Sequence, residues 1–301
     1  MTPAVTVFGS LHYDIMVEAP DRPRKGETVT GHSWHPKCGG KGGNQAVSAA
    51  RAGARAAMIG AVGDDDFGNA LLDNLDRCGV DRQGVRVVTG TGSGMSVAIF
   101  DAGGDYGAVI VSGSNLALSE QDVAAAREQI AGASVLLLQN EVPEAANIAA
   151  ARLVKAATGR VVLNAAPARK LSAELIELVD IVIVNAIEAE FLAGGDVVNT
   201  LEGASQAARR LIADFPAAIV TAGGEGVAWC NREGRAFAIA GIQVKVVSTH
   251  GAGDEFVGAF AAGLARGEPA EIALAAANAA AARLVAAPEQ QRQANGPATG
   301  A

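Results

Sequence analysis

The chain of 301 residues is 50% apolar and 19% charged, which supplies a sizeable core and excludes wholesale disorder. Its 24 basic and 32 acidic side chains leave a net charge of −8, and aromatics are only 4%; neither favours nucleic acid or an anionic membrane as partner. Cys38, Cys78 and Cys230 lie far apart with no CxxC pair, as expected in the reducing cytoplasm, and the opening MTPAVTVFGS has no basic segment of the kind that begins a secretion signal.

In chain order, Val5–Phe8 reads as a strand ending in Gly9-Ser10. Residues 11–36 are broken by Pro20, Pro23 and Gly26, with a short strand at Thr28–Thr30. The glycine-rich segment 38–44 leads into a helix from Gln45 to Ala52. Val85–Val88, Ser96–Phe100 and Gly107–Val111 read as a meander of three strands. From Ser119 the rhythm changes. A capping signature precedes a helix over Val123–Ile130, and short apolar strands (Val135–Leu138, Val161–Leu163, Ile181–Val184, Ala218–Thr221) alternate with helices at Ala145–Ala157, Leu171–Leu178 and Ser205–Asp214. Such alternation predicts an α/β fold, a mostly parallel sheet with helices on both faces, and places ligands beyond the carboxyl ends of its strands. The alanine-rich stretch Ala270–Ala287 predicts a helix packed closely on the sheet, and the small polar tail from Pro288 is expected to be mobile.

Gly251-Ala252-Gly253-Asp254 opens an apolar helix. Glycines let consecutive N–H groups converge, and the helix start adds its positive end, making an anion hole suited to a phosphoryl group in transit. Asp254 at its mouth is placed to take a proton from an attacking hydroxyl; a turn in which Asp254 merely caps the helix is the plainer alternative. Gly39-Gly40-Lys41-Gly42-Gly43-Asn44 is not a Walker sequence, because no Ser or Thr follows the lysine. It either lets a ligand approach the backbone or is a loop whose Asn44 caps the next helix. Asn185 and Glu188 offer hard oxygens on one helical face, able to hold Mg²⁺ through water beside phosphates, and they equally fit a capping box. Asp14 suits sugar hydroxyls or a plain loop. Thr221-Ala222-Gly223-Gly224-Glu225-Gly226 suits a nucleotide loop or a strand-end turn. His12 and His250 have no second His or Cys at metal spacing and read as structural. No GxGxxG follows Val5–Phe8, against a dinucleotide oxidoreductase.

Gly39–Ala46 and Ser248–Asp254, in this order and with Lys25–Thr30, Leu163–Arg169 and Asn185–Glu190 around them, resemble the signatures of the ribokinase-like carbohydrate kinases, the pfkB family, from Val5 to about Arg283. The resemblance implies a central, mostly parallel sheet in residues 1–10, 37–85 and 113–301, with a small β-sheet lid in 11–36 and 86–112. It implies ATP-dependent transfer of the γ-phosphate to a primary hydroxyl of a small, ribose-like sugar. Asp254 would be the base, and the amides of Gly251, Ala252, Gly253 and Asp254 the anion hole. The sugar would be held by His12, Asp14, Gly40, Lys41, Gly42, Gly43, Asn44 and Glu141, the nucleotide by Asn185, Thr221, Gly223, Gly224, Gly226, Gly253 and Asn278, and Mg²⁺ by Asn185 and Glu188 through water. Lid-to-lid packing would make a homodimer.

Two departures accompany the resemblance. The family has Asn where this chain has His12, which opens the alternative of another acceptor: a ketohexose, a deoxysugar or a nucleoside. The scarcity of aromatics favours a free sugar. Ser248 stands where the family's monovalent-cation site has Asp, near His250, so K⁺ activation is expected to be weak or absent. A binding protein without turnover is disfavoured by the presence of Asp254.

Overall fold

A computed structural model describes residues 4–103, 106–195 and 198–288; the expectation for the tail falls, beyond Pro288, outside them. In chain order the elements are β1 (Ala4–Phe8), β2 (His12–Glu18), β3 (Ser33–Gly39), α1 (Lys41–Arg51), β4 (Arg55–Gly63), α2 (Asp66–Arg77), β5 (Asp81–Val88), β6 (Met95–Phe100), β7 (Tyr106–Val111), α3 (Glu120–Ala125), α4 (Arg127–Ala131), β8 (Val135–Gln139) and α5 (Glu144–Ala156). They continue with β9 (Arg160–Asn164), α6 (Ala173–Leu178), β10 (Ile181–Asn185), α7 (Ala186–Ala193), α8 (Leu201–Leu211), β11 (Ala217–Thr221), β12 (Gly226–Asn231), β13 (Ala236–Ala240), α9 (Ala252–Ala265) and α10 (Ala270–Ala286).

Nine strands form one sheet in the order β13-β12-β11-β10-β9-β8-β1-β4-β5, parallel except where β12 and β13 turn back antiparallel. The central strands are continuous apolar runs (AVTVF, VLLLQ, IVIVN) because helices cover both faces. Val5 and Val7 point into a core with α1, α2, α9 and α10, whereas Phe8 points into the core made with α3 to α8. The mostly parallel, two-faced α/β reading from sequence therefore stands. α10, however, rests chiefly on α9, with β12 and β13 as lesser neighbours. A Cβ on Gly263 would crowd the Ala273 methyl, so small residues let these two helices approach each other.

A second sheet, ordered β3-β2-β6-β7, stands over the carboxyl edge of the first. Tyr13 stacks on Phe67 of α2 at 4.5 Å between ring centres and ties this sheet to the body. Local expectations are corrected in several places. Val85–Val88 does not begin a meander. It is the end of β5, which a βαβ crossover through α2 lays parallel to β4 in the large sheet. Residues 37–39 belong to β3 in the small sheet. Thr28–Thr30 forms no strand. The helix expected over Val123–Ile130 is split at Ala126 into α3 and α4. The three cysteines are unpaired. Among the described residues no helix is long and apolar enough to cross a membrane.

Candidate active site

The carboxyl ends of β8, β9, β10 and β11 and the inner face of the small sheet enclose a cleft of about 480 Å³. Along its walls lie the side chains that the motifs singled out, among them His12, Asp14, Glu141, Glu188 and Asp254. A neighbouring cavity of about 620 Å³ shares Asn44, His250, Gly251 and Asp254 with it but contains none of His12, Asp14 or Glu141.

Asp254 sits in the first turn of α9. The helix is capped by Gly251 in the left-handed region (φ 79°), so Asp254 is not the cap. First-turn amides have no intrahelical acceptor, and Gly251 and Gly253 bring them to the cleft wall; Ala252 is not part of that wall. A Cβ on Gly253 would meet nothing in the protein, so no neighbour demands a glycine there. The Asp254 carboxylate receives the Asn44 amide on Oδ2 (2.9 Å) and the Gln45 amide on Oδ1 (3.0 Å). Burial pushes its pKa above the ordinary carboxylate value, and the nearby Lys41 charge and these two amides offset part of that rise.

Asn44 corrects an expectation. It does not cap α1, because the helix already starts at Lys41 with Gly40 as cap. The glycines wind into helix since Gly42 and Gly43 press on Ser10 and Leu11, where a side chain would collide. Gly42 and Gly43 consequently lie under the turn after β1 and are not among the residues lining the cleft, whereas Gly40, Lys41 and Asn44 are. Gly40 (φ 82°) passes within collision range of the His12 backbone.

On the opposite wall Asp14 is buried and accepts the Ser96 hydroxyl at 2.5 Å; burial raises its pKa, and that hydrogen bond works against the rise. Glu141 accepts the Lys41 amide (3.0 Å) and, on the same oxygen, the Ser10 hydroxyl. His12 Nδ1 lies 3.8 Å from that oxygen, and His12 Nε2 is buried without a partner. His12 therefore lines the cleft, contrary to the structural reading of an isolated histidine.

At the other end, Asn185 and Glu188 form the capping box that the sequence offered as one alternative: each side chain accepts the other's backbone N–H at 2.9 Å. Both still border the cleft. Burial raises the Glu188 pKa, and Asp254 and Lys41 act on it electrostatically, so the three share one field. Thr221, His250 and Gly251 complete this end. Gly223 and Gly224 open a 3₁₀ turn that Gly226, the first residue of β12, ends; all three lie just outside the lining, and Cβ atoms on Gly223 and Gly224 would meet only open space. Asn278 is also outside; its amide donates to Ala240 O at 2.9 Å, tying α10 to the end of β13. Ser248 does not line the cleft either; its hydroxyl accepts the His250 amide at 3.2 Å. Among the described residues no cluster of three His, Cys, Asp or Glu could hold a metal unaided.

Sequence reasoning missed Gln45 and Ser96. Gln45 had one signal, a polar residue amid the small buried ones that open α1; Ser96 was the lone polar residue in an apolar strand.

Residues 2–294 match the model of the pfkB family carbohydrate kinases. The chain is 37% identical to a ribokinase of Bacillus subtilis over 278 residues, covering 92% of this chain and 91% of that protein. It is 33% identical to a deoxyribokinase of Salmonella typhi over 259 residues, covering 85% and 84%. The solved structure of Arabidopsis thaliana ribokinase complexed with ribose and ATP superposes with a TM-score of 0.89 at 31% identity, covering 98% of both chains. The chain belongs to the pfkB family of carbohydrate kinases.

Proposed function

We propose that this carbohydrate kinase moves the γ-phosphoryl group of ATP to the primary hydroxyl of a ribose-like pentose, with Asp254 as the base. The observation that carries the reading is the Asp254 carboxylate, held by two side-chain amides beside the open amides of α9 in a cleft that also contains Asp14 and Glu141. A relative in complex with ribose and ATP supports both substrates.

Asp14, braced by Ser96, and Glu141, held by Ser10 and Lys41 N–H, orient the sugar by accepting hydrogen bonds from its hydroxyls. The attacking hydroxyl gives its proton to Asp254 as its oxygen bonds the γ-phosphorus and the bond from that phosphorus to the β–γ bridging oxygen breaks, releasing ADP. The amides of Gly251, Gly253 and Asp254 take the charge that spreads over the migrating group, whereas that of Ala252 is given to Thr249 O at 3.2 Å. Thr221, Gly223, Gly224 and Gly226 are the nucleotide side of the site, with Gly224 and Gly253 leaving room for phosphates to approach the backbone. Asn278 supports this side through Ala240. Mg²⁺ fits here only as a hydrated ion. One Glu188 oxygen is committed to the Asn185 amide, and the second, with the waters of the ion, completes a hard-oxygen donor set. When bound, the ion neutralises phosphate charge. K⁺ has no acidic ligand at Ser248 and is given no role.

The outer face of the small sheet supports a homodimer. By register, Ile15, Val17, Trp34, Val97, Ile99 and Val109 share it, and Trp34 and Val109 are 66% and 68% exposed. Three unpaired cysteines and a requirement for ATP support a cytoplasmic enzyme.

The test is a coupled ADP-release screen across pentoses, hexoses, ketoses, deoxysugars and nucleosides. Ribose or 2-deoxyribose is expected to give the highest kcat/KM; absence of sugar-dependent ADP release throughout would overturn the reading. The deoxysugar alternative is favoured by His12, a cleft-lining residue, and by the deoxyribokinase relative. His12→Asn is expected to move the ribose-to-deoxyribose ratio of kcat/KM toward ribose by about tenfold, the worth of one hydrogen bond. An unchanged ratio removes His12 from specificity.

A further inference from the structure

We propose that Gln45, steered by Gln139, is a positioning residue that fixes the orientation of the Asp254 carboxylate. The inference rests on Asp254 being the base and adds how that base is aimed.

Gln45 and Gln139 are fully buried, and Asn164 nearly so. Such side chains are costly inside a core unless each polar atom has a partner, so their hydrogen-bond directions can be worked out by elimination. Asn164 donates its amide to Ile183 O (3.2 Å), which leaves its Oδ1 as an acceptor. Gln139 donates its amide to Gln45 Oε1 at 2.8 Å. The two hydrogens of Gln45 Nε2 then have two acceptors, Asn164 Oδ1 and Asp254 Oδ1, each at 3.0 Å. Turning the Gln45 amide over would set its oxygen against two other oxygens with no hydrogen between them, and its NH₂ against that of Gln139. In the orientation found, a proton points at Asp254, and of the three amides only Gln139 Oε1 is left without a partner.

The backbone is arranged around this chain. Gly9, at the end of β1, lies where any side chain would overlap Gln139 Oε1. Gly258 lets α9 settle onto α1 beside the Gln45 carbonyl, and Ser48 Oγ bonds Glu255 O (2.8 Å) across the same contact. Arg51 and Glu255 close it with an ion pair at 2.8 Å. The α1–α9 spacing that brings Gln45 within reach of Asp254 is thus held independently of either side chain. With Asn44 on Oδ2 and Gln45 on Oδ1, one donor per oxygen sets the plane of the carboxylate. About two of its four lone-pair directions are left for the hydroxyl in the cleft.

The experiment is a nested set of double-mutant cycles on the full chain, with kcat, KM for ATP, KM for the best sugar and thermal melting measured for each variant. Gln45→Met is expected to lower kcat by about 10- to 100-fold, the range for a hydrogen bond to a charged group, with both KM values within about twofold. In the Asp254→Asn background the same substitution is expected to cost less than about twofold, because the group it aims is gone. Gln139→Met is expected to lower kcat by about three- to tenfold, and to add nothing once Gln45 is Met. Equal losses from Gln45→Met with and without Asp254, or a loss confined to KM, would overturn the proposal, since a purely structural residue acts alike in both backgrounds. If Gln45→Met fails to melt cooperatively, Gln45→Asn, which withdraws the donor by one methylene, and Gln139→Met carry the same test. An Asp254→Asn enzyme with undiminished kcat would instead refute the assignment of the base, a result separate from any failure of the cycles.

Discussion

The two walls of the cleft are built on opposite principles. The floor, where α1 and α9 meet the edge of the large sheet, is tied together by its own side chains, with Gln139 Oε1 left over. Gln45 links Gln139 and Asn164 to Asp254, Asn44 bonds Asp254 from the other side, and the helices beneath are pinned by Ser48, Arg51 and Glu255. The roof, the four-stranded sheet, leaves its groups unfinished. Its inner face presents Asp14 and His12, and its outer face exposes Trp34 and Val109. A wall held in place by its own hydrogen bonds is suited to aiming a reactive group. A wall with open valences takes its partners from outside: a substrate on one side and, in our reading, a second copy on the other. The floor should therefore govern kcat, and the roof KM and association.

The largest effect should come from the floor. Asp254→Asn keeps the size and loses the base, and kcat is expected to fall by at least about 10²-fold, the lower range for general-base catalysis. Affinity for ATP, measured by calorimetry, should stay nearly constant. The pH dependence follows the same group. Burial raises the Asp254 pKa, so the carboxyl holds its proton at a higher pH than a free aspartate, and only the ionised form can accept another. The acid limb of kcat should then lie above the ordinary carboxylate range of about 3.9 and vanish in Asp254→Asn. A limb that persists in the variant would mean that another group titrates, and the floor would lose its exclusive claim on kcat.

The second effect belongs to the inner roof. Asp14→Ala removes a buried acceptor braced by Ser96 and leaves the floor untouched. KM for the sugar is expected to rise by about 10- to 100-fold, as for a hydrogen bond to a charged group, with kcat changed less. Steady-state titration of the sugar at saturating ATP separates the two. A fall in kcat with constant KM would erase the contrast between the walls.

This contrast also explains what the sequence disclosed. The floor's backbone was legible: buried runs such as Val135–Leu138 and Ile181–Val184 can only be central strands, and Gly251 to Asp254 can hardly be other than a helix start beside an acid. Its amides were not, because Gln45 reads as a helix residue and its meaning depends on Gln139 and Asn164, each 94 or more positions away. The roof was harder. β2 carries His12 and Asp14 on the cleft face and Ile15 and Val17 on the outer one, so polar and apolar residues alternate in the sense opposite to a soluble strand over a core. Val85–Val88 had the composition of the neighbouring small-sheet strands, and only the crossover through α2 assigns it to the large sheet. The glycines at 39–43 looked like a loop because their purpose, close packing on Ser10 and Leu11, depends on a contact that the chain makes only once folded.

The smallest effect on turnover, and the one that tests the roof's other face, should come from Val109. It lies on β7, an edge strand of the small sheet, and no described neighbour covers it. Exposed apolar edges invite association, and a charge placed on one discourages it. Val109→Asp would put that charge at the edge of the outer apolar face while leaving Ala108 and Ile110, which line the cleft, in place. Sedimentation velocity is expected to show a dimer for the unaltered chain and a monomer for the variant, with kcat within about threefold because the floor is intact. A variant that remains dimeric would move the interface elsewhere. A monomer whose kcat collapses would show that the floor depends on the roof's partner, and the division of labour between the two walls would have to be redrawn.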